Sequence, residues 1–262
     1  MSLKYQTLLG LALFCGAKVF AAATTSVDLS EAVVVSGTNA RATQAAEFLQ
    51  KEIQNRSGIA PATGTAMPAD SVPAIVIGKM THFPVSYTVP QGVSLPGAAE
   101  GFALWVSTTD RTAPTVYLVG RDDKGTLFAA GMLIRKLYLA DDYMRLDASV
   151  RISASPAYPV RAQQILRTTQ CEDGFVDWYD IPEKEQYIRD LVLFGCNGIL
   201  PKAPEDIDVF LDRLGLDLIV HVSGRTVLEL NEQSDQEIRK NYSDLVGVDD
   251  FIFVKNARNV AL

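Results

Sequence analysis

Between Gln186 and Pro201 the hydrophobic pattern changes period. Tyr187, Leu191 and Phe194 recur at i, i+4 and i+7, which is one stripe of a helix, while Arg189 and Asp190 fall off that stripe. Gly195 follows, a residue that ends a helix without a Cβ penalty, and Cys196–Leu200 is too apolar for a half-exposed strand. A helix, a glycine and a buried strand form the repeating piece of a parallel α/β sheet. The same alternation runs through the second half of the chain. Strands are predicted over Val160–Leu166, Cys196–Leu200, Leu216–Val222 and Phe251–Val254, with helices over Pro182–Phe194, Pro204–Leu214 and Ser234–Val246. Read this way, all four strands run parallel, as in the first part of a (β/α) barrel.

The first half has a different rhythm. Strands are predicted over Ala32–Ser36, Ala74–Gly78, Phe102–Ser107, Val116–Gly120 and Met144–Ile152, with Phe102–Ser107 and Val116–Gly120 as hairpin neighbours. Asn39 suits the cap of a helix over Ala40–Arg56, with Ala42, Ala45, Ala46, Leu49 and Ile53 on one face and Ser57-Gly58 as its stop. A second helix over Gly125–Tyr138 carries Leu127, Phe128, Met132, Leu133 and Leu137, and Asp122 or Asp123 suits its cap. The segments 59–72 and 82–99, rich in proline, glycine and small residues, read as loops. Two helices on one mixed sheet make a two-layer sandwich. Ser155-Pro156-Ala157-Tyr158-Pro159 is a stiff extended join between the halves. The fold class is therefore α/β: a small two-layer α/β sandwich domain over 27–154, then a partial (β/α) TIM-barrel-like domain over 159–262. Four strands do not close a barrel, which takes eight and about 250 residues. This favours a fragment of a longer enzyme, with an open sheet as the alternative.

Composition narrows the chemistry. The charged fraction of the 262 residues is 21% and the net charge is −7, with no run of Lys and Arg, so nucleic acid is not the expected partner. Two histidines and three cysteines, none paired at ligand spacing, leave little for a metal site, and no cofactor is implied. Lys4, the apolar run Leu8–Phe14 and the small residues around Ala21-Ala22-Ala23 have the three parts of a signal peptide over 1–23. That predicts a secreted or periplasmic protein with no stable membrane span after cleavage; an uncleaved anchor is the alternative. Export would permit a bridge between Cys171 and Cys196, although Cys196 in a buried strand also fits a free, inert thiol.

Three stretches in sequence carry a resemblance: Phe48 through Gly58, then Ala74-Ile75-Val76-Ile77-Gly78, then Gly120-Arg121-Asp122-Asp123-Lys124-Gly125 through Ala130. In this order they resemble the small domain that precedes the barrel in glycoside hydrolase family 20 and in related α-glucuronidases. Ser155–Arg161 is similar to the family's join into its first barrel strand, and Tyr187–Ile199 to its first helix and second strand. The resemblance implies an exo-acting β-N-acetylhexosaminidase, in which the substrate's acetamido group attacks the anomeric carbon beside an Asp-Glu pair after the fourth strand, an exception to the scheme of two protein carboxylates. The chain departs from that pattern. Lys255-Asn256-Ala257-Arg258 follows the fourth strand, and Ile165-Leu166 stand where the family has an Asp.

Catalytic residues are therefore not identified, and four residues stand as candidate substrate contacts. Arg161 matches the family's sugar-holding arginine; a salt bridge at the join is its alternative role. His221 lies near the carboxyl end of the third strand, where barrel enzymes place chemistry, although a satisfied or surface histidine fits as well. Glu229, in the following loop, is an acid or a solvated carboxylate. Trp178, beside Tyr179 in the loop after the first strand, stacks on a sugar or plugs the interface. Asp249 and Asp250 precede a parallel fourth strand and so fall at the edge opposite the usual site. The expected function is a secreted glycoside hydrolase, or the leading fragment of one, acting on a poly- or oligosaccharide. A non-catalytic glycan-binding protein on the same scaffold is the alternative. An open-sheet nucleotide binder lacks any Gly-rich phosphate signature after its strands.

Overall fold

The computed structural model describes residues 25–164, 168–171, 174–177, 183–200, 205–223 and 250–255. Within them the chain is a mixed α/β protein. The first half is built on a six-stranded sheet of β2 (Val33–Ser36), β3 (Thr63–Gly64), β4 (Ala74–Lys79), β5 (Phe102–Ser107), β6 (Thr115–Gly120) and β9 (Arg151–Ala154), in the order β3-β2-β4-β6-β5-β9. Strands β3, β2, β4 and β6 are parallel, while β5 is antiparallel to both β6 and β9. Helices α1 (Ala40–Ser57) and α2 (Asp123–Lys136) cover one face. A second, three-stranded sheet joins β1 (Ser26–Asp28), β8 (Tyr143–Asp147) and β7 (Tyr138–Ala140), all antiparallel.

Local chemistry sets the helix ends. The Asn39 side chain accepts the Ala42 N–H at 2.8 Å, and Gly58 turns left-handed at φ +73° to stop α1. Asp122 caps α2 by accepting the Gly125 N–H at 2.8 Å. The predicted last strand over Met144–Ile152 proves to be two, β8 and β9, in different sheets. Between them the Asp147 carboxylate takes the Ser149 N–H at 2.7 Å, an Asx turn that halts the ladder.

In the second half, β10 (Ala162–Gln164), β13 (Gly198–Leu200) and β14 (Asp217–Ser223) are parallel neighbours, linked by α3 (Lys184–Leu193) and α4 (Glu205–Leu214). A hairpin, β11 (Thr168–Cys171) with β12 (Gly174–Asp177), occupies part of what reads from the sequence as a loop. The expected helix over Ser234–Val246 lies outside the described residues.

One expectation fails here. Strand β15 (Asp250–Lys255) runs antiparallel to β14, with Leu218 opposite Lys255 and Ser223 opposite Asp250. An apolar, β-branched and aromatic run fills a ladder in either direction, so composition does not encode which way a strand points. The described strands form an open four-stranded sheet, β10-β13-β14-β15.

The two halves do not keep separate cores. One hydrophobic cluster runs from Val34, Ile75 and Leu118 through Leu49, Ile53 and Leu133 of the helices into Ile188, Val192, Ile199, Leu211 and Leu216. Where α1 meets α3, Glu52 is fully buried and holds Arg56 at 2.6 Å and Arg189 at 3.2 Å, with Gln186 donating to both its oxygens. Arg41 of α1 reaches the carbonyls of Asp212 and Arg213 at the end of α4.

Candidate functional site

In parallel α/β sheets the carboxyl ends of the strands are where loops converge on a ligand. Here β10, β13 and β14 end at Gln164, Leu200 and Ser223, and these define the edge where a site belongs. The opposite, amino edge is tied to the first half of the chain.

That tie is built around Arg161. It immediately precedes β10, as Asn197 immediately precedes β13, and the two exchange backbone and side-chain bonds: Arg161 N–H to Asn197 Oδ1 at 2.8 Å, Asn197 N–H to Arg161 O at 3.1 Å. The guanidinium donates from Nε to Gly195 O at 2.7 Å, from Nη1 to Tyr158 O at 2.6 Å and from Nη2 to Glu100 Oε2 at 2.5 Å. Its flat face lies over Phe128 of α2, 5.3 Å from the ring centre. Glu100 also accepts from Asn197 Nδ2 at 3.1 and 3.2 Å and sits 3.6 Å from Lys124 Nζ. Glu100 is held at φ +58°, a backbone region that non-glycine residues rarely adopt, with its N–H bonded to Asp122 Oδ2 at 2.8 Å. The Glu100 carboxylate thus gathers a cation from the join and an amide from the start of β13, while its backbone N–H reaches the cap of α2.

The sequence offered Arg161 two roles, sugar donor or salt bridge at the join. The geometry supplies the partners of the second, at the edge remote from the carboxyl ends of β10 and β13. His221 lies in β14, in register with Ile252, two residues before that strand ends. Arg161 and His221 therefore stand toward opposite ends of the parallel sheet. Trp178 and Glu229 lie outside the described residues. The direction of β15 also moves Asp250: expected at the amino edge, it pairs with Ser223 at the carboxyl edge of β14, while Lys255 falls beside Leu218 at the other end.

Cys196 is a free thiol beside this tie, half-buried; burial raises its pKa, and the nearby Arg161 charge partly opposes that shift. Among the described residues no cluster of three His, Cys, Asp or Glu side chains is placed to hold a metal. No described helix is long and apolar enough to cross a membrane.

Sequence reasoning missed Glu100, Asn197 and Glu52. Glu100 sits in a Pro/Gly-rich loop and gives no local signal. Glu52 did give one: it falls four residues after Phe48 and three after Leu49, on the buried stripe of α1.

The described residues thus form a helix-backed α/β sheet joined through an arginine clasp to the amino edge of parallel strands. No family model and no curated protein matches the chain. Among solved structures it is similar to a family GH115 4-O-methyl-α-glucuronidase with specificity for decorated arabinogalactans, at 15% identity and a TM-score of 0.53, over 74% of this chain and 29% of that one. It is also similar to the GH20 β-N-acetylhexosaminidase of Streptomyces coelicolor, at 14% identity and a TM-score of 0.49, over 80% and 47% of the two chains. A GH20 exo-β-N-acetylglucosaminidase of Vibrio harveyi follows at 12% and 0.47, over 74% and 33%. The chain spans less than half the length of each of these proteins. At such identities the likeness is one of fold.

Proposed function

We propose that the protein carrying this chain is an exported glycoside hydrolase that cleaves O-glycosidic bonds of a poly- or oligosaccharide at the carboxyl edge of β10, β13 and β14. The observation that supports this reading is the likeness of fold to the GH115 glucuronidase, beside this chain's own leading α/β sheet on the amino edge of parallel strands. In this reading the Glu100–Arg161–Asn197 clasp fixes the starts of β10 and β13, so that the loops leaving their far ends are held in register. Rigid placement of that kind is what positioned catalytic groups require. The segment 1–23 directs export and is removed. In this reading the sugar contacts come from His221 and Asp250, which the register of β14 and β15 sets toward that far edge, and from Trp178 and Glu229.

A second reading is a glycan-binding protein without turnover. It is favoured by β15, which ends on Lys255 at the amino edge rather than leading into a carboxylate pair at the carboxyl edge.

The experiment that tests the first reading is a turnover assay of the purified protein on aryl β-N-acetylhexosaminides, aryl xylosides and 4-O-methylglucuronosyl oligosaccharides. Release of the aryl group or of free 4-O-methylglucuronic acid supports it. Glycan binding with no release from any substrate moves the conclusion to the second reading.

A further inference from the structure

Strict alternation divides the three-stranded sheet into two unlike faces. Met144 and Leu146 of β8 are fully buried, and Val27 and Leu139 beside them pack on the main core. The other face presents Tyr138, Tyr143, Arg145, Asp147, Ser26 and Asp28. Register sets them in rows across the strands: Asp28, Arg145 and Tyr138 in one, Ser26 and Asp147 in the next, Ala140 and Tyr143 on the other side. Tyr138 is 62% exposed and Tyr143 39%. Arg145 lies over the Tyr143 ring at 5.2 Å and pairs with Asp28 at 3.6 Å, yet its Nε, shielded from solvent, has no hydrogen-bond partner. Ser26, Tyr138, Tyr143, Arg145 and Asp147 line a shallow cleft of about 240 Å³.

We propose that this outer face is a glycan-binding platform for neutral pyranose units, separate from the carboxyl edge of the parallel strands. A pyranose ring has an apolar C–H face and an equatorial rim of hydroxyls. Tyr138 offers an exposed ring for the first, because its partner position across the ladder holds a guanidinium already turned to Tyr143. Asp147 and Asp28 accept hydroxyl hydrogens, and Ser26 donates or accepts. Both carboxylates are held ionised below the usual range, each chiefly by a backbone N–H, from Ser30 for Asp28 and from Ser149 for Asp147. Two carboxylates against one arginine leave the face negative, and Asp141 and Asp142 at the β7–β8 turn add to that. A uronate, phosphate or nucleic acid is repelled; an uncharged sugar is not.

The platform is tested by calorimetry of the full chain with xylohexaose, cellohexaose and chitohexaose, and with a galacturonan hexamer as the acidic probe. Tyr138→Ala and Asp147→Asn are compared with Tyr158→Ala, an exposed tyrosine elsewhere. The expected result is binding of at least one neutral oligomer, weakened about tenfold or more by Tyr138→Ala, unchanged by Tyr158→Ala, with no binding of the galacturonan. Unchanged thermal unfolding of the variants shows that the fold is kept. Turnover of a small aryl glycoside is expected to be indifferent to Tyr138→Ala, so loss of the platform and loss of the hydrolase reading are separate results. Binding that survives Tyr138→Ala, failure of every neutral oligomer to bind, or a dimer that Tyr138→Ala dissociates would each overturn the proposal, the last by assigning the face to a second copy.

Discussion

At the scale of single residues, the one buried charged residue among the described residues is Glu52. It has no exposure, and three donors from α1 and α3 converge on it. Removing one partner of a buried ionic set leaves the others uncompensated, at about 3 kcal/mol. Glu52→Ala is expected to lower Tm by roughly 6–12 °C in a scanning calorimeter, whereas the exposed Glu47→Ala is expected to stay within about 0.5 kcal/mol. Tyr117 gives a pH signature. Burial, then Asp110 accepting its hydroxyl hydrogen at 3.1 Å, pushes its pKa up to about 12 from 10.0. A raised folded-state pKa means its contribution is complete below pH 10 and is lost as pH climbs toward 12. Urea midpoints measured at steps from pH 9 to 11.5 are expected to fall more steeply for the native protein than for Tyr117→Phe; parallel slopes would contradict this. Glu52 was marked only by its place on the buried stripe of α1, which does not name its partners. The environment of Tyr117 depends on what packs opposite, and local sequence does not say.

At the scale of elements, the sequence was readable where capping and periodicity agree. Asn39, Asp122, Gly58 and Gly195 end the helices they were expected to end. The stretch Gly120–Ala130 resembled a family feature, and its structure explains why those residue types stand there. A Cβ on Gly120 would come within 2.2 Å of the Thr126 backbone nitrogen, and one on Gly125 within 2.3 Å of the Gly101 carbonyl. The stretch is a tight joint between β6 and α2 that holds Asp122 against Glu100, so its glycines are there for backbone approach. Gly125→Ala is therefore expected to cost about 1–3 kcal/mol by overpacking. Gly97→Ala, with open space around it, is expected to be neutral. Urea unfolding of the pair checks this; equal midpoints would remove the close-approach account. What the pattern did not disclose were the short strands β1, β3 and β7, too brief for alternation to register, and the direction of β15. Both are settled by long-range pairing, which a window along the chain does not contain.

For the whole molecule, the notable feature is continuity. The apolar cluster includes residues from both sides of the proline-rich segment 155–159, and the Arg161–Glu100 pair ties the two sides. The first half is thereby a fixed base for the parallel strands, and the amino edge is closed off by Glu100, Arg161 and Asn197. Function, on this account, belongs to the other edge. The α/β class and the glycoside hydrolase-like fold were legible from element order, which persists where identity to the GH115 glucuronidase is 15%. The chemistry was not, because isolated polar residues such as His221 and Asp250 leave no periodic mark. The most direct measurement is product analysis by chromatography after incubating the protein carrying this chain with arabinogalactan, glucuronoxylan and chitin oligosaccharides. The account predicts time-dependent release of a monosaccharide from at least one of them. A folded protein that releases no sugar from any of the three would contradict it.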